Sequence, residues 1–166
     1  VTLKTKPEVV ETRLNEAEKL VRQVQAELVD LIRELRPQDE DDLCEKVENY
    51  LQTWSRQNGI SADCFLGKDM KLPQTVENTL FRIIQEALAN IAKHSRADKV
   101  EIELAQEKQN FQLTISDNGI GFDGQKRSDG IGLKTMRERA ESLKNGSLEI
   151  ETEDGKGVKI KISFEI

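Results

Sequence analysis

Between Asp117 and Leu133 the chain reads DNGIGFDGQKRSDGIGL, two glycine pairs (Gly119/Gly121 and Gly130/Gly132) joined by a short polar loop. Alternating Phe111, Leu113 and Ile115 predict a strand leading in. Leu133, Met136, Ala140 and Leu143, spaced by three and four, predict a helix leading out. Glycine at a strand exit lets another molecule approach the backbone, because no Cβ stands in the way. Glycine at a helix start leaves N–H groups and the positive end of the dipole open to an anion. A loop offering both suggests a nucleotide site, with the base at one end and phosphates at the other.

Two other readings of this loop are weaker. Asp117-Asn118-Gly119 could be a tight hairpin turn, but GFDGQKRSDG lacks the alternation a returning strand needs. Gly119, Gly121 and Gly124 match the G-x-G-x-x-G dinucleotide spacing, yet no apolar helix opens at Gly124 and no strand–helix repeat follows. The nucleotide reading gives Asp117 a direct task. A carboxylate at a strand end can accept a hydrogen bond from the exocyclic amino group of adenine. Guanine presents an oxygen there and would be rejected. Losing such a charged acceptor costs roughly 1.5–3 kcal/mol, about 10- to 150-fold in affinity.

A length of 166 residues suits one domain with an appended element. Only 4% of residues are aromatic, so the core must be mainly Leu, Ile and Val. A net charge of −6 argues against a nucleic-acid binder. Cys44 and Cys64 have no metal-type spacing and read as intracellular thiols. With no long apolar run and no signal-peptide pattern, the chain reads as soluble and cytoplasmic, without membrane contact of its own. Its parent could still be membrane-anchored.

Residues 8–36 predict one long helix. Leu14, Ala17, Val21, Val24, Leu28, Leu31 and Leu35 form a heptad seam, as in a coiled coil or bundle, and Pro37 ends it. The alternative is an amphipathic helix packed on its own domain. The acidic cluster Asp39–Asp42 forms a hinge whose last members cap the next helix. Leu43, Val47, Leu51 and Trp54 line that helix, and Asn58-Gly59 closes it. Further elements are a strand over Ile60–Leu66, a helix from Pro73 to His94, strands at Lys99–Ala105 and Phe111–Ser116, and strands near Ser147–Glu153 and Val158–Ile166. Gly155 and Gly157 mark the last turn. Helices with mostly antiparallel strands indicate an α/β sandwich rather than a doubly wound fold.

The helix TLFRIIQEALANIAKHS, Thr79 to Ser95, carries candidate chemistry. Leu80, Ile84, Ala87, Leu88 and Ile91 fall on one apolar arc. Glu86, Asn90 and Lys93 fall within about 60° of one another on the other side, with His94 at the border. A carboxylate can accept a proton, an amide oxygen can join an octahedral Mg²⁺ shell, and an ammonium can neutralise a phosphoryl group. An ordinary solvated helix face would show the same mixture. His94 is read as a structural residue or a phosphate contact rather than a phosphorylation site.

Taken together, these motifs resemble the catalytic ATP-binding domain of a two-component sensor histidine kinase. That domain belongs to the GHKL ATPase superfamily, shared with gyrase, the ninety-kilodalton heat-shock chaperone and the mismatch-repair ATPase. FRIIQEALANIAKHS resembles the N box, DNGIGFD the first glycine box and GIGLKTMRERA the second. IRELRP and the short lid are similar to the subgroup of nitrate and membrane-lipid sensors. The resemblance implies an α+β fold, a Bergerat-type α/β sandwich with a mixed, mostly antiparallel sheet covered on one face by helices. It also divides the chain: residues 1–37 as the second helix of the dimerisation domain, 38–42 as hinge and 43–166 as the catalytic domain.

By the same resemblance, Glu86 orients or activates the acceptor histidine and Asn90 holds Mg²⁺. Lys93 and His94 lie near the phosphates of ATP, and Asp117 reads adenine. Gly119 and Gly121 admit the nucleotide, while Gly130, Gly132 and Leu133 form the far side of the lid. Lys126, Arg127 and Arg137 read as surface charges more than phosphate contacts. The implied activity is transfer of the γ-phosphoryl group to a histidine, for relay to a response-regulator receiver domain, by a protein that dimerises through a helical bundle.

The chain departs from the family in three places. Its lone histidine, His94, lies in the N box, so the chain reads as beginning after the acceptor helix and unable to phosphorylate itself stably. A phenylalanine-rich box is missing, as is common in the subgroup. Val158 stands where the family commonly has threonine. Rival expectations are a serine kinase of the anti-sigma-factor type and a nucleotide-gated interaction module without kinase activity.

Overall fold

Helix α1, Leu43–Asn58, starts and stops on side-chain chemistry legible in the sequence. Asp42 Oδ1 accepts the Glu45 N–H at 3.0 Å, and Gly59, at φ 68°, donates its N–H to Ser55 O at 2.9 Å. Leu43, Val47, Leu51 and Trp54 are buried, as their spacing predicts. The computed structural model describes residues 42–67, 70–121, 131–153 and 155–166. The predicted helix over 8–36, the first acidic hinge residues, and Gly124, Lys126, Arg127 and Gly130 lie outside them. The described residues belong to one compact unit.

Strand β1 (Ser61–Leu66) is followed by helix α2 (Gln74–His94), which Pro73 precedes at the N-cap position. Strands β2 (Lys99–Glu107) and β3 (Asn110–Asp117) form a hairpin, and Lys108 turns it at φ 58°. Helix α3 (Ile131–Glu141) precedes β4 (Ser147–Thr152) and β5 (Val158–Glu165). Gly155 and Gly157, at φ 75° and 77°, make the last turn, where an L side chain would be strained.

The five strands order as β1-β2-β3-β5-β4. β1 runs parallel to β2 and the other pairs are antiparallel, giving the mixed, mostly antiparallel sheet that was expected. Residues paired across antiparallel strands share a face. Ile102, Ile115, Ile160 and Ile150 therefore form one row, and Leu104, Leu113, Ile162 and Leu148 the next. Their face packs against α2 and α3, where Leu80, Ile83, Ile84, Ala87, Leu88, Met136 and Ala140 are fully buried. Ile83 widens the apolar arc beyond the residues singled out from the sequence. Cys44 and Cys64 are thiols, and burial chiefly, then Cys44 and Glu48 nearby, pushes the Cys64 pKa up to about 12.

Candidate functional site

The inward row that begins with Val100 places Asp117 next, then Val158, then Thr152. Asp117 thus occupies the next core-facing position after Phe111, Leu113 and Ile115, and it is only 8% exposed. Its Oδ1 accepts the Gly119 N–H at 2.8 Å. Burial raises its pKa above the ordinary aspartate value, while the backbone amides of Gly119 and Val158 pull the other way. A carboxylate held at the end of an apolar face is a functional-site signal.

The segment after Asp117 is fastened to the end of α2 rather than turned back as a hairpin. The Ile120 N–H donates to Ser95 O at 2.8 Å. A Cβ at Gly119 would overlap the same Ser95 oxygen. Ser95 is itself buried, with Oγ donating to Ile91 O at 2.8 Å and accepting the Ala97 N–H at 3.0 Å. On the other side, the Gly155 N–H donates to Ile120 O at 2.7 Å, and Gly121, at φ 63°, packs against Glu153 O and Gly157 O. Gly119 and Gly121 therefore have a packing reason within the chain as well as a steric opening. Among the described residues the loop lies between the C-terminal end of α2 and the β4–β5 turn.

Helix α3 brings Gly132 to the polar side of α2. A Cβ at Gly132 would overlap Glu86 Oε1 and stand 3.4 Å from Asn90 Nδ2. Glu86 and Asn90 are half-buried under this helix, while Lys93 and His94 are exposed one turn further on. Leu133 is half-buried and packs on the core. Arg137 Nη1 donates to Leu148 O at 3.1 Å, so this arginine fastens α3 to β4. Gly130 is outside the described residues.

The structure thus brings Glu86, Asn90 and Gly132 together at one place and Asp117, Gly119 and Gly121 at another, with the last turns of α2 between them. Among the described residues no group of three or more His, Cys, Asp or Glu side chains could hold a metal ion. A divalent cation beside Asn90 would have to take most of its ligands from water and phosphate oxygens, which is how Mg²⁺ binds with nucleotides. Sequence reasoning missed Ser95, the side-chain contacts of Asn118, and the β4–β5 turn as a wall of the loop.

A mixed sheet with helices on one face, a glycine turn beside an inward aspartate, and Gly132 against the polar stripe of α2 fit a nucleotide-binding α/β sandwich. The chain belongs to the family described as histidine kinase-, DNA gyrase B- and HSP90-like ATPase, whose profile matches residues 75–166. This membership supports ATP as the nucleotide. The chain is 37% identical over 157 residues to the signal transduction histidine-protein kinase/phosphatase DegS of Brevibacillus brevis, a match covering 92% of this chain and 40% of that protein. It is 32% identical over 157 residues to the sensor histidine kinase LiaS of Bacillus subtilis, covering 93% and 43%. The chain therefore spans less than half the length of these relatives. Among solved structures, the histidine kinase AdeS of Acinetobacter baumannii shares the fold, with a TM-score of 0.67, 20% identity, and coverage of 98% of this chain and 86% of that one.

Proposed function

We propose that this chain is the ATP-binding catalytic module of a two-component sensor histidine kinase. It passes the γ-phosphoryl group of Mg-ATP to a histidine on a helix outside this chain, from which an aspartate of a response-regulator receiver domain takes it. The observation that carries the reading is the seating of Gly132 on Glu86 and Asn90. It makes a helix start, a carboxylate and an amide neighbours, as transfer from a bound triphosphate requires. Similarity to sensor kinases over most of the chain supports it.

In this reading Asp117 accepts the adenine amino group, with Gly119 and Gly121 beside the base. Asn90 supplies an oxygen to Mg²⁺, which when bound neutralises charge on the β- and γ-phosphates. Lys93 and His94 face the phosphates, and Gly130, Gly132 and Leu133 close over them. The bond from the γ-phosphorus to its bridging oxygen breaks, ADP leaves with that oxygen, a bond to the unprotonated imidazole nitrogen of the acceptor forms, and Glu86 orients or takes the proton carried by the other ring nitrogen. Positioning and charge neutralisation supply most of the rate. Residues 1–37 serve as the second helix of a dimeric bundle, 38–42 as its hinge and 43–166 as the catalytic domain. The module works in the cytoplasm, where ATP is; among the described residues no helix is long and apolar enough to cross a membrane.

The test is trans-phosphorylation. With Mg-ATP and a supplied acceptor helix carrying a histidine–acidic pair, label is expected on that histidine, in an acid-labile form. Glu86→Gln should lower the rate by about 10²–10⁴-fold, the usual range for loss of a general base. Acid-stable label on serine would instead place the chain with the anti-sigma-type kinases, and label on His94 would contradict the assignment.

A further inference from the structure

Asn118 lies between Asp117 and Gly119, and its side chain turns away from both. Its Oδ1 accepts the N–H groups of Asp98 at 3.1 Å and Lys99 at 3.0 Å, and its Nδ2 donates to Asp98 Oδ1 at 2.6 Å. Its own N–H donates to Lys99 O at 3.2 Å. One exposed side chain thus joins the loop after β3 to Asp98 and to the first residue of β2, some twenty residues earlier in the chain.

The chemistry specifies asparagine. The contact needs one oxygen able to accept two neighbouring amides and, on the same planar group, a donor for a carboxylate. Aspartate would set two carboxylates against each other, and serine has a single oxygen. Charge assists the bond to Asp98, which strengthens it relative to a neutral pair. Residues 98 and 99 come four and five residues after His94, the last residue of α2, the helix carrying Asn90 and Lys93.

We infer that Asn118 is a positioning residue that fixes the base-reading end of the site relative to the phosphate-reading end. It holds Asp117 and Gly119 in register with the last turns of α2, so that a ligand spanning both ends meets each in place. Ser95, whose carbonyl accepts the Ile120 N–H at 2.8 Å, is the second fastening of the same loop. The inference rests on the assignment of Asp117 to the base and of Asn90 and Lys93 to the phosphates.

The test uses the intact chain and two ligands, a non-hydrolysable ATP analogue with Mg²⁺, which spans the site, and adenosine, which reaches one end only. Asn118→Ala is expected to weaken the spanning ligand by about tenfold or more and adenosine by less than about threefold. Asn118→Asp should behave similarly. The exchanged pair Asp98→Asn with Asn118→Asp restores an amide facing a carboxylate and should recover most of the loss. In the unliganded protein, Asn118→Ala should also speed hydrogen exchange at the Asp98, Lys99 and Ile120 amides.

Equal losses for both ligands in Asn118→Ala would show a general loosening and overturn the inference, as would unchanged affinity for the spanning ligand. Failure of the exchanged pair to recover binding would overturn it too. A parent chain that binds neither ligand would overturn the site assignment itself, and this inference with it.

Discussion

Asp117 takes a position that the alternation of β3 otherwise gives to apolar side chains, and the consequences show in both stability and binding. Its pKa is raised mainly by burial, so the folded chain binds that proton more tightly than the unfolded one. Stability from this group is therefore fully present below its unfolded value and is lost as pH rises through the folded one. Asp117→Asn keeps the shape and an oxygen for the Gly119 N–H but removes the buried charge. Chemical denaturation from pH 4 to 7 should show the parent losing stability relative to Asp117→Asn as pH rises. A parent that gains relative to the variant over that range would contradict the argument. At this scale the sequence was informative wherever a residue broke a pattern, as Asp117 breaks an apolar one. Asn118 and Ser95 broke none, because their partners are backbone groups of distant segments and leave no trace in spacing.

Helix α3 and the turn after α1 give a matched pair of glycines with opposite expectations. Gly132 sits in a helix, where alanine is intrinsically favoured by about 1 kcal/mol. Its Cβ would overlap a carboxylate oxygen of Glu86, the end of a flexible side chain that can move aside. Gly132→Ala should therefore change stability by less than about 1 kcal/mol while weakening Mg-ATP binding severalfold through the displaced Glu86. Gly59 has φ 68° with nothing within 4 Å of its Cβ position. Gly59→Ala should cost about 1 kcal/mol through the left-handed conformation alone and leave binding unchanged. Paired melting curves and nucleotide titrations separate the two cases. Element ends were legible in the sequence because Asp42, Gly59 and Pro73 act locally. Strand order was not, since the insertion of β5 between β3 and β4 depends on pairings among distant segments.

Across the whole molecule, a chain of net charge −6 must bind a polyanion through local groups, because its overall charge repels one. In the proposed site the groups suited to this are the helix start at Gly132, the Asn90 amide beside it and the exposed Lys93 one turn further along α2. The fold class was legible from hydrophobic periods. The joining of the two ends of the site by α2 was not, because it depends on tertiary packing. The central claim is that one site reads adenine at Asp117 and phosphates near α3. Calorimetric titration of the chain with Mg-ATP and Mg-GTP tests it most directly. The account predicts one Mg-ATP per chain, Mg-GTP bound about tenfold or more weakly, and the preference for adenine abolished in Asp117→Asn. Equal affinity of the parent for the two nucleotides would contradict it.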